Sequence, residues 1–389
     1  MVASKKAKQK IIKAQASTPS LIDAIDSTLK KVRTQSLDIS FNELADMYTN
    51  AELRIDPDYQ RTFQWSGGKQ SRFIETLILE MPVPPIFVIE QSDGKYELID
   101  GLQRLSSYLH FRGILEAPLL EPPIQKGDKL VLHDCDIVDE LNGKTYDDLG
   151  TAIQIRLKRH FIRVEVVRKE SDQRFKYFMF KRLNTGGENL SEQQIRNCTI
   201  KLLDDKFNKF IISLSKNTDF LTCTSNITQK QKNQFFDQEL VLRFFAQKND
   251  AENFVHDIGD FLSEYMEKVS DPSNPKINFD YSVEKAIFEK TFKILAATLG
   301  EYSFSYLSSG DKMVKAFSAL QFEVFTLGLQ PKLSRIDPAN STQMRTLKAL
   351  FENVKKEPAY KKLATGGGKN SASQLKARVK YLSDKLKNL

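Results

Sequence analysis

Histidine, cysteine and tryptophan are scarce in this chain of 389 residues, which holds four, three and one of them. Cys135, Cys198 and Cys223 are odd in number, far apart and outside any C-x-x-C spacing, which excludes a disulfide framework and a cysteine zinc site and leaves reduced thiols. His110, His133, His160 and His256 are equally scattered, and none forms an H-E-x-x-H or other paired metal spacing. No apolar run reaches about 18 residues, so no segment is expected to span a bilayer and no membrane partner is expected. Met1-Val2-Ala3-Ser4 lead into Lys-rich sequence from Lys5, without the apolar stretch of a signal peptide, and the expected location is cytoplasmic. What is present, 40% hydrophobic and 28% charged residues, describes a soluble globular protein long enough for two ordinary domains.

The net charge of +8 is unevenly placed. Residues 1–20 carry five lysines and no acid. Residues 355–389 carry ten bases against Glu357 and Asp384, which leaves the chain between these ends at −5. Basic ends on a mildly acidic body suit contact with a polyanion such as DNA. They also suit plain solvated tails.

Hydrophobic periodicity divides the chain into a basic arm with an amphipathic helix (1–36), a mixed domain (37–200), a helical domain (201–354) and a basic tail ending in an amphipathic helix (355–389). The expected fold class is α+β. Leu21, Ile22, Ile25, Leu29 and Val32 recur at helical spacing, and helices are predicted over 42–50 and about 69–80. Pro82, Pro84 and Pro85 end the second of these, and Ile86–Ile89 reads as a buried strand. Ser92-Asp93-Gly94 signals a hairpin returning as a strand over 96–99. A helix follows to about Gly113. Residues 129–133 read as a strand inside an irregular stretch, and Phe161–Val167 alternates as a strand should. Ser191 with Gln194 three residues on forms a capping box. Helical spacing then recurs over 235–245, 254–269, 283–299, 312–325 and 344–354, and again from Leu375 through Val379, Leu382 and Leu386. The other face of that last helix is basic, which makes Lys376, Arg378 and Lys380 candidate DNA contacts. Its apolar stripe reads first as a docking face.

Three clusters can carry chemistry. At Glu97–Leu105 a strand passes through Asp100-Gly101 into a helix, and a helix start offers unpaired N–H groups and partial positive charge to an anion. Gly101 permits the sharp turn and a close ligand approach. Arg104 would sit in the first helical turn, able to bind a phosphate with two parallel bonds. Asp100 can hold a magnesium ion or position a water. Asp-Gly is also an ordinary turn, with Asp100 an ordinary N-cap. The second cluster is Tyr59-Gln60-Arg61 with Trp65, readable as a functional loop or as a cap with Trp65 anchoring the core. The third is Asn184-Thr185-Gly186-Gly187, where successive N–H groups can form an anion nest, or simply a helix C-cap.

These clusters in this order resemble the GmrSD-type restriction endonuclease N-terminal domain family. The matching residues are 57–61 with Trp65, Ile86 to Glu90, Ile99-Asp100-Gly101-Leu102-Gln103-Arg104-Leu105, Arg182 to Gly187, Leu190-Ser191 and Glu239 to Phe244. The resemblance implies a ParB/sulfiredoxin-like domain with a small mixed sheet, followed by helices. It also implies binding, and hydrolysis, of a nucleoside triphosphate with Mg2+ in a system that restricts foreign or modified DNA. On the family's motif Asp100, Gln103 and Arg104 take the catalytic positions, Asp100 the metal, and Gln60, Arg61, Gly101 and Asn184–Gly187 the nucleotide. Leu102 departs from the pattern: the family commonly has glutamine there, and leucine offers neither donor nor acceptor. The His-x-x-Pro pattern of the longer relatives' nuclease domain is missing as well.

Three readings stay open on the sequence. The chain is an NTP-hydrolysing sensor coupled to DNA, a DNA-binding adaptor that recruits a separate nuclease, or a magnesium-dependent DNA nickase on its own.

Overall fold

The computed structural model describes residues 20–56, 59, 63–185, 191–255, 257–272, 277–308, 312–364 and 371–388. The chain divides into two units, Met1–Met179 and Phe180–Leu389.

In the first unit the order is α1 (Leu21–Leu29), β1 (Thr34–Ser40), α2 (Phe41–Thr49), β2 (Leu53–Arg54), α3 (Gly67–Ile78), β3 (Ile86–Glu90), β4 (Tyr96–Asp100), α4 (Leu102–Phe111), α5 (Gly150–Arg159) and β5 (Phe161–Val167). The strands form one mixed sheet in the order β1-β5-β3-β4-β2. β1 lies antiparallel to β5, β5 parallel to β3, β3 antiparallel to β4 and β4 parallel to β2. β5 keeps the predicted limits because its alternation is strong: Ile162, Val164 and Val166 are buried, and Phe161 and Arg163 are exposed. The predicted hairpin is β3–β4, turning through Gly94 at φ 79°. α3 and α4 pack against each other, and Phe41 at the head of α2 sets its ring 4.8 Å from Tyr108 and 6.3 Å from Phe73.

Several expectations are corrected here. Residues 129–133 form no strand. Leu130 and Leu132 are buried in alternation, but the backbone is held piecemeal, by Leu132 exchanging bonds with Gly143 and Lys144 and by His133 N–H donating to Ser71 Oγ. The buried Glu75 carboxylate, on α3, accepts the N–H groups of Asp136, Ile137 and Val138 and so fixes the rest of that loop. The apolar face of α1 does not pack within the described residues: Leu21, Ile22, Ile25 and Leu29 are all exposed.

α6 (Gln173–Thr185) crosses the division between the units. The second unit continues with α7 (Glu192–Thr199), α8 (Lys206–Leu214), α9 (Thr218–Cys223), α10 (Gln229–Asn233), α11 (Phe236–Asn249), α12 (Ile258–Ser270), α13 (Tyr281–Thr298), α14 (Ala319–Gly328), α15 (Ser341–Lys356), α16 (Pro358–Ala364) and α17 (Ala372–Lys385). The α+β class expected of the chain is the one it has: a five-stranded mixed sheet, then a largely helical region. The Ser191–Gln194 capping box opens α7 as expected. Residues 312–318 stay outside a helix, because Ser318 takes the N-cap of α14 with its side chain on Gln321 N–H.

Candidate functional site

β4 ends at Asp100, and Gly101 turns the chain into α4 at φ 100°, ψ 12°, in the left-handed region that favours glycine. A second constraint fixes the same residue. A Cβ there would lie 2.3 Å from Ile86 Cγ2 on β3. This corrects the expectation that Gly101 opens space for a ligand, since that space is filled by Ile86. What the turn leaves open is the helix start. Gly101 is the N-cap and supplies no side-chain hydrogen bond, and the first turn carries the positive end of the helix dipole.

Arg104 stands in that first turn, half-buried. Its Nη2 donates to Asp100 Oδ2 at 3.0 Å and to the Pro85 carbonyl at 2.9 Å. The guanidinium is thereby locked against the strand it follows. Its Nε is buried without a hydrogen-bond partner, as are those of Arg243 and Arg378. Asp100 engages Arg104 through one carboxylate oxygen and keeps about a third of its side chain exposed.

Gln103, expected at a catalytic position, holds a loop through its side-chain oxygen. Its Oε1 accepts the N–H groups of Gln64 and Trp65, each at 3.0 Å, and holds the loop that leads into α3. The network runs on. Gln70 Nε2 donates to the Trp65 carbonyl at 2.9 Å, and Gln70 Oε1 faces His110 Nδ1 at 2.9 Å. Burial holds the His110 imidazole below its ordinary pKa, so the neutral ring is the donor to Gln70. Trp65 packs edge-on to Phe73 at 5.8 Å, which is the core-anchoring role. Tyr59 is buried with its hydroxyl 3.3 Å from the Ile99 carbonyl, so the loop after β2 crosses the end of β4. Between that loop and β4 opens a cavity of about 510 Å3, walled by charged side chains that include Arg54, Asp56, Glu97 and Lys126.

The structure thus brings Asp100, Gly101, Gln103 and Arg104 together. Gln60, Arg61, Gly186 and Gly187 lie outside the described residues, and Asn184 and Thr185 are the last residues of α6. Leu102 is buried in the core, so the departure from the family motif faces away from the helix mouth. Among the described residues no three histidine, cysteine or acidic groups are placed to share a metal ion. Asp100 would therefore meet a cation as a single carboxylate, which suits Mg2+ when phosphates and water supply its other ligands.

The DNA contacts expected on α17 divide. Lys376 is exposed, and Lys380 is exposed and paired with Asp384 at 2.9 Å. Arg378 is corrected outright: it is 1% exposed, and its Nη2 donates to Glu323 Oε2 at 2.6 Å. It belongs to a buried chain of charges in the helical unit that the sequence did not disclose. Glu323 also meets Arg243 at 3.2 Å, and Glu239 joins Arg243 to Arg196, each at 3.3 Å. The spacing that signals it is Glu239 four residues before Arg243.

Among protein families, residues 42–201 match the model described as the GmrSD restriction endonuclease, N-terminal domain. No curated protein and no solved structure matches the chain. Among the described residues, no helix is long and apolar enough to cross a membrane.

Proposed function

We propose, from the match of residues 42–201 to the GmrSD restriction endonuclease N-terminal domain, that the chain is a component of a restriction or defence system and that its β4–Gly101–α4 passage binds the phosphates of a nucleotide. The observation that carries the reading is Arg104, held by Asp100 and the Pro85 carbonyl in the first turn of a helix whose N-cap, Gly101, supplies no side-chain hydrogen bond. A helix start and a fixed guanidinium are the two devices by which proteins hold phosphate without a dedicated cage.

In this reading the amides of the first turn of α4 and the Arg104 guanidinium receive the phosphate oxygens. Asp100 both orients Arg104 and offers its exposed oxygen to Mg2+. Mg2+ held there would supply neutralisation of phosphate charge. Gln103 acts one step back by holding the Gln64–Trp65 loop beside the site, a positioning role. With Gln103 engaged there and Leu102 in the core, the reading favours a nucleotide-dependent switch with slow turnover over a fast hydrolase. DNA, the substrate that a restriction family suggests, is then handled in a nucleotide-dependent way.

Calorimetric titration of the full chain with ATP, GTP, CTP and UTP in Mg2+ tests the reading. One or more should bind, and the matching monophosphate should bind at least about tenfold more weakly, as loss of a charge-assisted contact implies. No binding by any of the four, or equal binding of mono- and triphosphate, contradicts it.

A further inference from the structure

The head of β5 and the last turn of α5 form a surface that nucleotide binding leaves unused. α5 ends in Arg156-Leu157-Lys158-Arg159. Leu157 is fully buried and anchors the turn, Arg156 and Arg159 are exposed, and Lys158 is half-buried. His160 closes the helix: its N–H donates to the carbonyls of Arg156 and Leu157, and its own carbonyl accepts Phe41 N–H at 3.0 Å. The next residue, Phe161, is 65% exposed. It takes the outward side of the β5 alternation together with Arg163. Phe161, Arg159, Arg156 and Ile155 line a cleft of about 460 Å3.

The charges on this surface are only partly answered. Arg163 is paired with Asp38 at 2.7 Å, and Arg156 lies 3.5 Å from Glu80. Lys158 and Arg159 have no ion-pair partner among the described residues. Cations at a helix C-terminus are accounted for by the helix dipole alone. A phenylalanine left two-thirds exposed beside them is not. An exposed aromatic face with a free guanidinium beside it is an arrangement that can hold a nucleic-acid strand, with stacking for a base and charge for a phosphate. A base inside a duplex offers only its edge, and its face becomes available when the strand is single.

We propose that this surface binds single-stranded DNA, with one base stacked on Phe161 and a neighbouring phosphate met by Arg159. The inference takes from the nucleotide reading only that DNA is the polymer handled. It does not need a nucleotide at Arg104.

The test is fluorescence anisotropy of the full chain with a labelled 15-nucleotide oligo-dT over a range of salt. Phe161→Ala should weaken binding by about 5- to 150-fold, the span of one base stack. Phe161→Trp should bind at least as tightly as the parent, and thermal melting should be the same for all three proteins because the ring is exposed. Arg159→Ala should flatten the log–log salt slope by about 0.7, the single-strand value for one phosphate. Arg104→Ala should keep its oligo-dT affinity while nucleotide binding is lost, which separates failure of one reading from failure of the other. Unchanged affinity in Phe161→Ala overturns the proposal. So does an equal loss on a 15-base-pair duplex or on heparin, which would mark a general polyanion surface, and so does tighter binding of oligo-U, which would reassign it to RNA.

Discussion

Arg378 on α17 donates to Glu323 on α14 at 2.6 Å, and both side chains are almost free of solvent. The other oxygen of Glu323 receives Arg243 at 3.2 Å and Gln247 at 2.9 Å. The C-terminal helix is therefore bound into the helical unit by a buried charge as well as by Leu375, Leu382 and Leu386. Removing one member of such a pair strands its partner's charge and costs about 3–5 kcal/mol. Arg378→Ala should accordingly lower the urea midpoint of the helical unit, whereas Lys376→Ala, on the exposed face, should stay within about 0.5 kcal/mol. Equal and small losses for the two would show that the helix is not docked through Glu323.

Gln103 gives a second expectation, because one oxygen serves two backbone donors. Gln103→Ala leaves the N–H groups of Gln64 and Trp65 unanswered, at a local cost of about 1–3 kcal/mol. Amide exchange at both positions should speed up. Emission from Trp65, the sole tryptophan of the chain, should shift to the red as the loop loosens. Parental exchange rates in the variant would remove Gln103 from the positioning role.

Gly94 and Gly101 allow the two costs of a glycine to be separated. Both have positive φ, at 79° and 100°. A Cβ on Gly94 meets nothing within 4 Å, and one on Gly101 collides with Ile86. Gly94→Ala should cost only the left-handed strain of about 1–2 kcal/mol. Gly101→Ala should add about 1–3 kcal/mol of overpacking. Thermal melting of the two variants side by side measures the difference, and equal losses would show that Ile86 yields to the added methyl group.

Lys355 supplies a pH dependence. Its buried ammonium donates to the carbonyls of Tyr302 (2.7 Å), Ser303 (3.0 Å) and Ser305 (2.8 Å), and burial pulls its pKa down to about 7. Between pH 7 and the ordinary lysine range the unfolded chain holds a proton that the folded chain has released. Stability from this group therefore rises with pH across that window, by at most about 1.4 kcal/mol per pH unit, and is flat below it. The unfolding free energy of the parent minus that of Lys355→Met should rise from pH 7 to pH 9. A constant gap would mean that the three carbonyls keep the ammonium charged throughout.

Legibility in the sequence followed locality. β5, the β3–β4 hairpin and the Ser191 capping box are written in adjacent residues, and the structure reproduces them. β1 was not legible, because Thr34–Ser40 is a polar, largely exposed edge that becomes a strand only by pairing with β5. α5 was lost in the irregular stretch before β5, and Leu157 is its only buried residue. At the site, Asp100, Gly101 and Arg104 were found by a local strand–turn–helix pattern. The loop-holding bonds of Gln103 were not, since they close across 38 and 39 residues. Arg378 was readable in hindsight. It lies three residues after Leu375 and four before Leu382, which places it on the apolar face of its own helix.

The central claim is that Arg104 at the start of α4 holds nucleotide phosphate. The most direct measurement is calorimetric titration of the tightest-binding triphosphate, with Mg2+, into the parent chain, Arg104→Ala and Arg104→Lys. The account predicts that Arg104→Ala loses at least about tenfold in affinity and that Arg104→Lys, with charge but no fork, recovers only part of it. Unaltered affinity in Arg104→Ala, with the fold intact by circular dichroism, would contradict it.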